Sequence, residues 1–250
     1  MQAYWILLRR ELGAFFVSLA GYITIAAAVF LMGLSFVVMI YRLQGEETPV
    51  PLTQMFFSTA YFWLILLLAG PVITMRLFAL EKYSGTFETL MTTPVSDGQV
   101  VMAKFSAAMV FYLLMWLPLL GCILMLRQYI HQGGDLDWGL IGGAYLGITL
   151  VGSLFMALGC FASALTRSQI VAAMISFTLG FTLFLMSFLP GYLPVNTGWA
   201  ARIISWFALA DDMNDFARGL VDLQHVVFYL SFTALFLFLT LRVVESRRWK

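Results

Sequence analysis

Residues 140–189 read LIGGAYLGITLVGSLFMALGCFASALTRSQIVAAMISFTLGFTLFLMSFL, and their one charged side chain is Arg167. A helix needs about 20 apolar residues to cross a bilayer. The stretch therefore holds two crossings, Leu140 to Leu165 and Ile170 to Leu189. Thr166-Arg167-Ser168-Gln169 joins them as a tight turn at the membrane surface.

The same pattern recurs on both sides, at Phe15 to Tyr41, Met55 to Met75, Ala103 to Leu126 and Val226 to Val244. A bilayer offers no partner to free backbone groups, so such segments cross as helices. The expected fold class is an all-α polytopic membrane protein with six transmembrane helices. Composition agrees: of 250 residues 62% are hydrophobic and 11% charged, against about 25% charged in soluble domains, and the mean hydropathy is +0.91. One membrane domain is expected over 1–250, with no soluble module. The N-terminus lacks the order of basic region, apolar region and cleavage site that marks a signal peptide. Cys122 and Cys160 fall inside apolar spans, where they read as small buried residues, not a disulfide or metal pair.

Basic residues orient the bundle. With the N-terminus inside, ten Lys and Arg lie inside: Arg9, Arg10, Arg76, Lys82, Lys104, Arg167, Arg242, Arg247, Arg248 and Lys250. Four lie outside: Arg42, Arg127, Arg202 and Arg218. Both termini are expected to be cytoplasmic.

Ahead of the first span, Trp5, Leu8 and Leu12 recur at helical spacing opposite Arg9 and Arg10, followed by Glu11. The pattern fits a short helix in the membrane interface, and also a frayed extension of the first span; the interfacial helix is expected. Gly70-Pro71 and Pro118 are kink sites. Gly143-x-x-x-Gly147 suits close helix approach, inside one bundle or between two copies. Pro190 to Asp222 is too broken to span. Its apolar stripe, Trp199, Ile203, Trp206 and Phe207, and a cap from Asp211 or Asp212 suggest a pair of short helices dipping into the outer leaflet. An outer loop with aromatic anchors is the alternative.

Between the second and third spans stands EKYSGTFETLMTTPVS, Glu81 to Ser96. Tyr83, Phe87, Leu90 and Met91 share one face of a helix, Ser84 or Gly85 is placed to cap it, Glu88 sits in its first turn and Pro94 stops it. Ser96-Asp97-Gly98-Gln99 then has capping-box spacing and opens the helix of the third span. The segment either floats among headgroups or meets a cytoplasmic partner. From Glu81 to Asp97 it carries Lys82 against Glu81, Glu88 and Asp97, a balance that favours a protein partner over anionic lipid.

Several function classes are excluded. The spans carry no deep ionisable residue of the kind ion-coupled carriers use. The sequence has no phosphate loop of its own, so ATP would have to be bound by another chain. His131 and His225 stand apart and make no zinc or haem pair. Neither a catalytic motif nor a metal cluster is present, and nothing suggests nucleic acid.

The stretch Glu81 to Ser96 resembles the E-x-x-S-G-T-x-E-x-L-x-x-x-P-V-S signature that follows the second span of ABC-2 type exporter permeases. Phe216 to Trp249 is similar to the ending of the gliding-motility-associated permease subgroup, of the kind found with an auxiliary subunit, and the likeness covers essentially the whole chain, including RREL near the N-terminus. The resemblance implies a permease in a bacterial inner membrane that pairs with a second copy or an auxiliary membrane subunit and rests on two ATPase subunits, which hold the ATP and magnesium. No cofactor is expected in this chain. By the same resemblance 84–94 would be the coupling helix, with Glu81, Ser84, Gly85, Thr86, Phe87, Glu88, Leu90, Met91 and Pro94 meeting the ATPase. Residues 4–12, with Trp5, Arg9, Arg10 and Glu11, would form the connecting helix. Residues 190–222, with Trp199, Trp206, Asp211 and Asp212, would form outer re-entrant helices. If two copies pair, the small-residue spacing makes Gly143 and Gly147 the expected dimer seam. Val17 to Tyr22 lacks the subgroup's proline, so a straighter approach to the first span is expected. The spans suit a lipid-like or amphiphilic substrate. The alternative is a membrane anchor that passes ATP-driven force outward without transport.

Overall fold

The computed structural model describes residues 2–43, 52–87, 95–129, 138–188 and 206–246. Among these residues the chain forms helices and no strands: α1 (Gln2–Val17), α2 (Leu19–Leu43), α3 (Leu52–Phe57), α4 (Ala60–Thr74), α5 (Ala79–Ser84), α6 (Asp97–Tyr129), α7 (Trp138–Leu165), α8 (Gln169–Met186), α9 (Leu209–Ala217) and α10 (Leu223–Ser246). Six segments are long and apolar enough to cross a membrane: Leu19–Tyr41, Ala60–Ser84, Asp97–Met125, Trp138–Leu165, Gln169–Met186 and Leu223–Ser246. The all-α polytopic architecture read from the sequence is the one the chain adopts.

α7 is the axis of the bundle. Of its most apolar window 83% is buried, against 17% for α8. Its small residues explain the position, because helices in lipid gain little from apolar clustering and associate through close packing and hydrogen bonds. A Cβ on Gly152 would lie 2.1 Å from the Tyr112 ring of α6, and one on Gly159 2.0 Å from the Thr74 hydroxyl of α4. Hydroxyls complete the fit: Ser153 shares a 3.0 Å hydrogen bond with Thr233 of α10, and the Tyr145 hydroxyl donates to the Trp116 carbonyl at 2.9 Å. Against α6, the rings of Phe56, Phe62 and Tyr112 surround the fully buried Trp116.

Gly143 and Gly147 turn the same property toward α9. A Cβ on Gly143 would stand 2.6 Å from the Phe216 carbonyl oxygen, and one on Gly147 2.9 Å from the Met213 sulfur. The chain fills this small-residue face itself, which corrects its reading as a seam between copies.

Two boundaries also differ from expectation, both through hydroxyls. At Ser18 the side chain donates to the Phe15 carbonyl and accepts from the Gly21 N–H, each at 3.1 Å, so α1 bends away from α2. A Cβ on Gly21 would lie 2.2 Å from the Phe15 oxygen. The approach to the first span is therefore bent without proline. The second span begins at Ala60, not Met55, because the hydroxyls of Ser58 and Thr59 donate to the carbonyls of Met55 and Phe56 at 2.9 and 2.6 Å and separate α3 from α4.

Candidate functional site

The segment between the second and third spans is built on a helix break. Past Pro71, α4 ends at Thr74 and the chain turns through Met75–Phe78 into α5. Ser163, near the end of α7, holds that turn: its hydroxyl accepts from the N–H groups of Phe78 and Ala79 at 3.0 and 3.1 Å and donates to the Met75 carbonyl at 3.1 Å. The buried Lys82 ammonium donates to the Ala164 carbonyl, one of the acceptors a helix end leaves without an internal partner.

Gly85 adopts a left-handed φ of 75° and closes α5, and the chain is helical again at Thr86 and Phe87. Two expectations change as a result. Tyr83 and Phe87 do not share one face: Tyr83 is 78% exposed, whereas Phe87 is buried with the Lys82 ammonium 5.2 Å from its ring centre. Glu81 and Lys82, counted in the charge balance offered to a cytoplasmic partner, turn into the protein. Tyr83, Ser84, Gly85 and Thr86 are exposed, and the hydroxyls of Ser84 and Thr86 lie 2.8 Å apart. Glu88, Leu90, Met91 and Pro94 lie outside the described residues.

Glu81 belongs to a charge quartet that ties three elements together. Its carboxylate meets Arg10 of α1 at 2.8 Å and Lys104 of α6 at 3.0 Å. Glu11 meets the same two cations, at 2.8 and 3.1 Å. The Lys104 side chain is 2% exposed. A buried ammonium is tolerable only when close partners repay its lost hydration; here two carboxylates do so, with the Phe78 ring 5.4 Å away. The hydrogen bond to Glu11 raises the Arg10 guanidinium above its ordinary value, against an opposing effect of burial.

α1 thus packs along α6, with Phe15 stacked on Phe111 at 4.9 Å and the Tyr4 hydroxyl donating to Ser106 at 2.8 Å. The structure brings Arg10 and Glu11 to the site, while Trp5 and Arg9 remain exposed. The predicted capping box is present: the Ser96 N–H donates to the Gln99 side chain at 3.4 Å, and the Gln99 N–H to the Ser96 hydroxyl at 3.3 Å.

A second charged cluster lies at the opposite end of the bundle. α9 begins after Ala208, so neither Asp211 nor Asp212 caps it; both sit in its first turn. Asp211 is exposed and Trp206 is 52% exposed, while Trp199 lies outside the described residues. Asp212 is buried, 3.0 Å from His225 Nδ1, and accepts a 3.0 Å hydrogen bond from the Tyr229 hydroxyl of α10. Burial pushes its carboxyl up to about 6, against the opposing pull of His225 and the Tyr229 hydrogen bond. The sequence reading missed Lys104, Ser163, His225 and Tyr229 as site residues. The one available signal was Lys104, a lone cation following the third span's capping box.

Residues 51–248 match the family described as ABC-2 family transporter protein. The chain belongs to that family. It is therefore a multi-pass membrane protein and the transmembrane, non-catalytic component of an ABC transporter, which works with an ATPase partner. No curated protein matches the chain.

Proposed function

We infer that the protein is the permease of an ATP-driven exporter in a bacterial inner membrane, moving a lipid-like or amphiphilic substrate. The chain is of the gliding-motility-associated permease kind, and two copies of it, or one copy and an auxiliary membrane subunit, rest on two ATPase subunits that hold ATP and magnesium. Both termini are cytoplasmic, and the ATPases dock on the segment around Glu81 to Pro94. Residues 4–12 serve as the connecting helix and 190–222 as the outer re-entrant helices.

The observation that carries this reading is the exposed Tyr83–Thr86 ridge on a base joined to three other helices. Displacement of the ridge is passed to α1 and α6 through Glu81 and to α7 through Ser163 and Lys82. ATP-driven closure of two ATPases then becomes rocking of whole helices, a rigid-body transition between two packings. The spans offer aromatic, methionine and hydroxyl side chains to a cargo, which suits an amphiphile.

The test is copurification in mild detergent from the native membrane, beside a Glu88→Arg, Leu90→Asp variant. Wild type is expected to bring down an ATPase that the variant loses. An ATPase retained by the variant sinks the coupling assignment. In reconstituted complex, ATPase turnover that rises with an added amphiphile supports export, and turnover indifferent to every amphiphile favours force transmission.

A further inference from the structure

A cleft of about 340 Å³ opens beside the charge quartet, between α1, the turn after α4 and the start of α6. Besides the quartet it is lined by Arg76 and by Phe15, Leu77 and Leu80. The quartet sums to zero, two cations against two carboxylates. Arg76 is a surplus cation, without a carboxylate partner among the described residues, so the cleft carries a net charge of one positive unit. It sits just past the end of α4 at Thr74 and beside the first turns of α6, where charged side chains gather at the ends of two apolar helices, and such helix-end positions suit contact with lipid headgroups.

We propose that this cleft binds the phosphate of a singly charged anionic phospholipid. A guanidinium fork matches phosphate geometry with two parallel hydrogen bonds, and among the described residues nothing engages the Arg76 fork. Phe15, Leu77 and Leu80 lie against the first carbons of an acyl chain, a surface that inorganic phosphate would leave unused. Zwitterionic lipid brings its own ammonium and leaves the surplus charge of the cleft unbalanced. Basic pockets between membrane helices select anionic headgroups on this principle. The site needs only that the chain resides in a membrane, so it stands apart from the export reading.

The full chain, with Arg76→Gln and Arg76→Lys variants, is purified in mild detergent and offered equal amounts of phosphatidylglycerol and phosphatidylcholine. Native mass spectrometry counts the lipid retained. Wild type should prefer phosphatidylglycerol by roughly tenfold, the separation that one fork-held charge of about 1.4 kcal/mol provides. Arg76→Gln should bring the two lipids to parity and Arg76→Lys should fall between. Excess inorganic phosphate should leave the bound lipid in place. Equal preference in wild type and Arg76→Gln would overturn the proposal, as would loss of both lipids alike or displacement by phosphate alone. Because Arg76 has no carboxylate partner among the described residues, Arg76→Gln should keep the wild-type unfolding midpoint, which separates lost selectivity from lost fold.

Discussion

Both ends of this bundle bury charge, in opposite ways. At one end Arg10, Glu11, Glu81 and Lys104 close on one another with no charge left over, and the four residues come from α1, α5 and α6. At the other, Asp212 of α9 stands between His225 and Tyr229 of α10, and its carboxyl is pushed up to about 6. The first cluster ties three elements through balanced opposite charges around the buried Lys104 ammonium. The second joins two helices through a group whose charge depends on a proton. The first cluster keeps its charges over a wide range of conditions, whereas the second changes with the pH around it.

The largest expected effect comes from breaking the balanced end. Lys104→Met leaves Glu11 and Glu81 facing each other with only Arg10, itself half exposed, between them. Removing one partner of a buried ion set costs about 3–5 kcal/mol. The unfolding midpoint should drop accordingly, and amide exchange in α1 should rise before that in α7. Replacing Lys104 and both its carboxylate partners, with Glu11→Gln and Glu81→Gln added, should recover much of the loss, since an uncompensated charge costs more than an absent pair. A loss below about 1 kcal/mol for Lys104→Met, the level of a surface pair, would erase the distinction between the two ends.

At the other end the proton on Asp212 sets the stability. The folded protein holds the Asp212 proton up to about 6, while an unfolded chain releases it near pH 4. Between those values the native state binds more proton than the unfolded state. Asp212 thus contributes stability that is full below about pH 4 and is lost as pH rises to about 6, a fall on the order of 3 kcal/mol. Asp212→Asn should flatten that fall in an unfolding series across the range. His225→Gln removes a neighbour that lowers the Asp212 value, so it should move the fall to higher pH. An unchanged slope in Asp212→Asn would assign the pH dependence elsewhere.

The difference between the ends also marks what the sequence could convey. Six apolar windows and the capping box at Ser96 were legible because each depends on neighbours in the chain, through hydrophobic length or i,i+3 spacing. The bend at Ser18 and the break at Ser58–Thr59 were not, since a hydroxyl that ends a helix has the same letter as one that rides along it. Periodicity misled at Tyr83 and Phe87 because it runs through Gly85, whose left-handed backbone resets the phase. The use of Gly143 and Gly147 was undecidable from spacing: small residues announce a close approach without naming the helix that makes it. The two charge clusters were hidden for the same reason, as Glu81 meets Arg10 across 71 positions and Lys104 meets Glu11 across 93.

The smallest predicted effect separates local from long-range order at the balanced end. Ser96→Ala deletes the hydroxyl that receives the Gln99 N–H, eight positions before Lys104 on the same helix. Loss of such a cap costs about 1 kcal/mol. If the quartet fixes the start of α6, the cost stays near that figure and α1 keeps its amide protection, because Lys104 still holds Glu11 and Glu81. A Ser96→Ala loss equal to that of Lys104→Met would mean that the cap sets the position of Lys104. The ion pairs would then follow from the helix start, and the balanced end would owe its order to a four-residue motif.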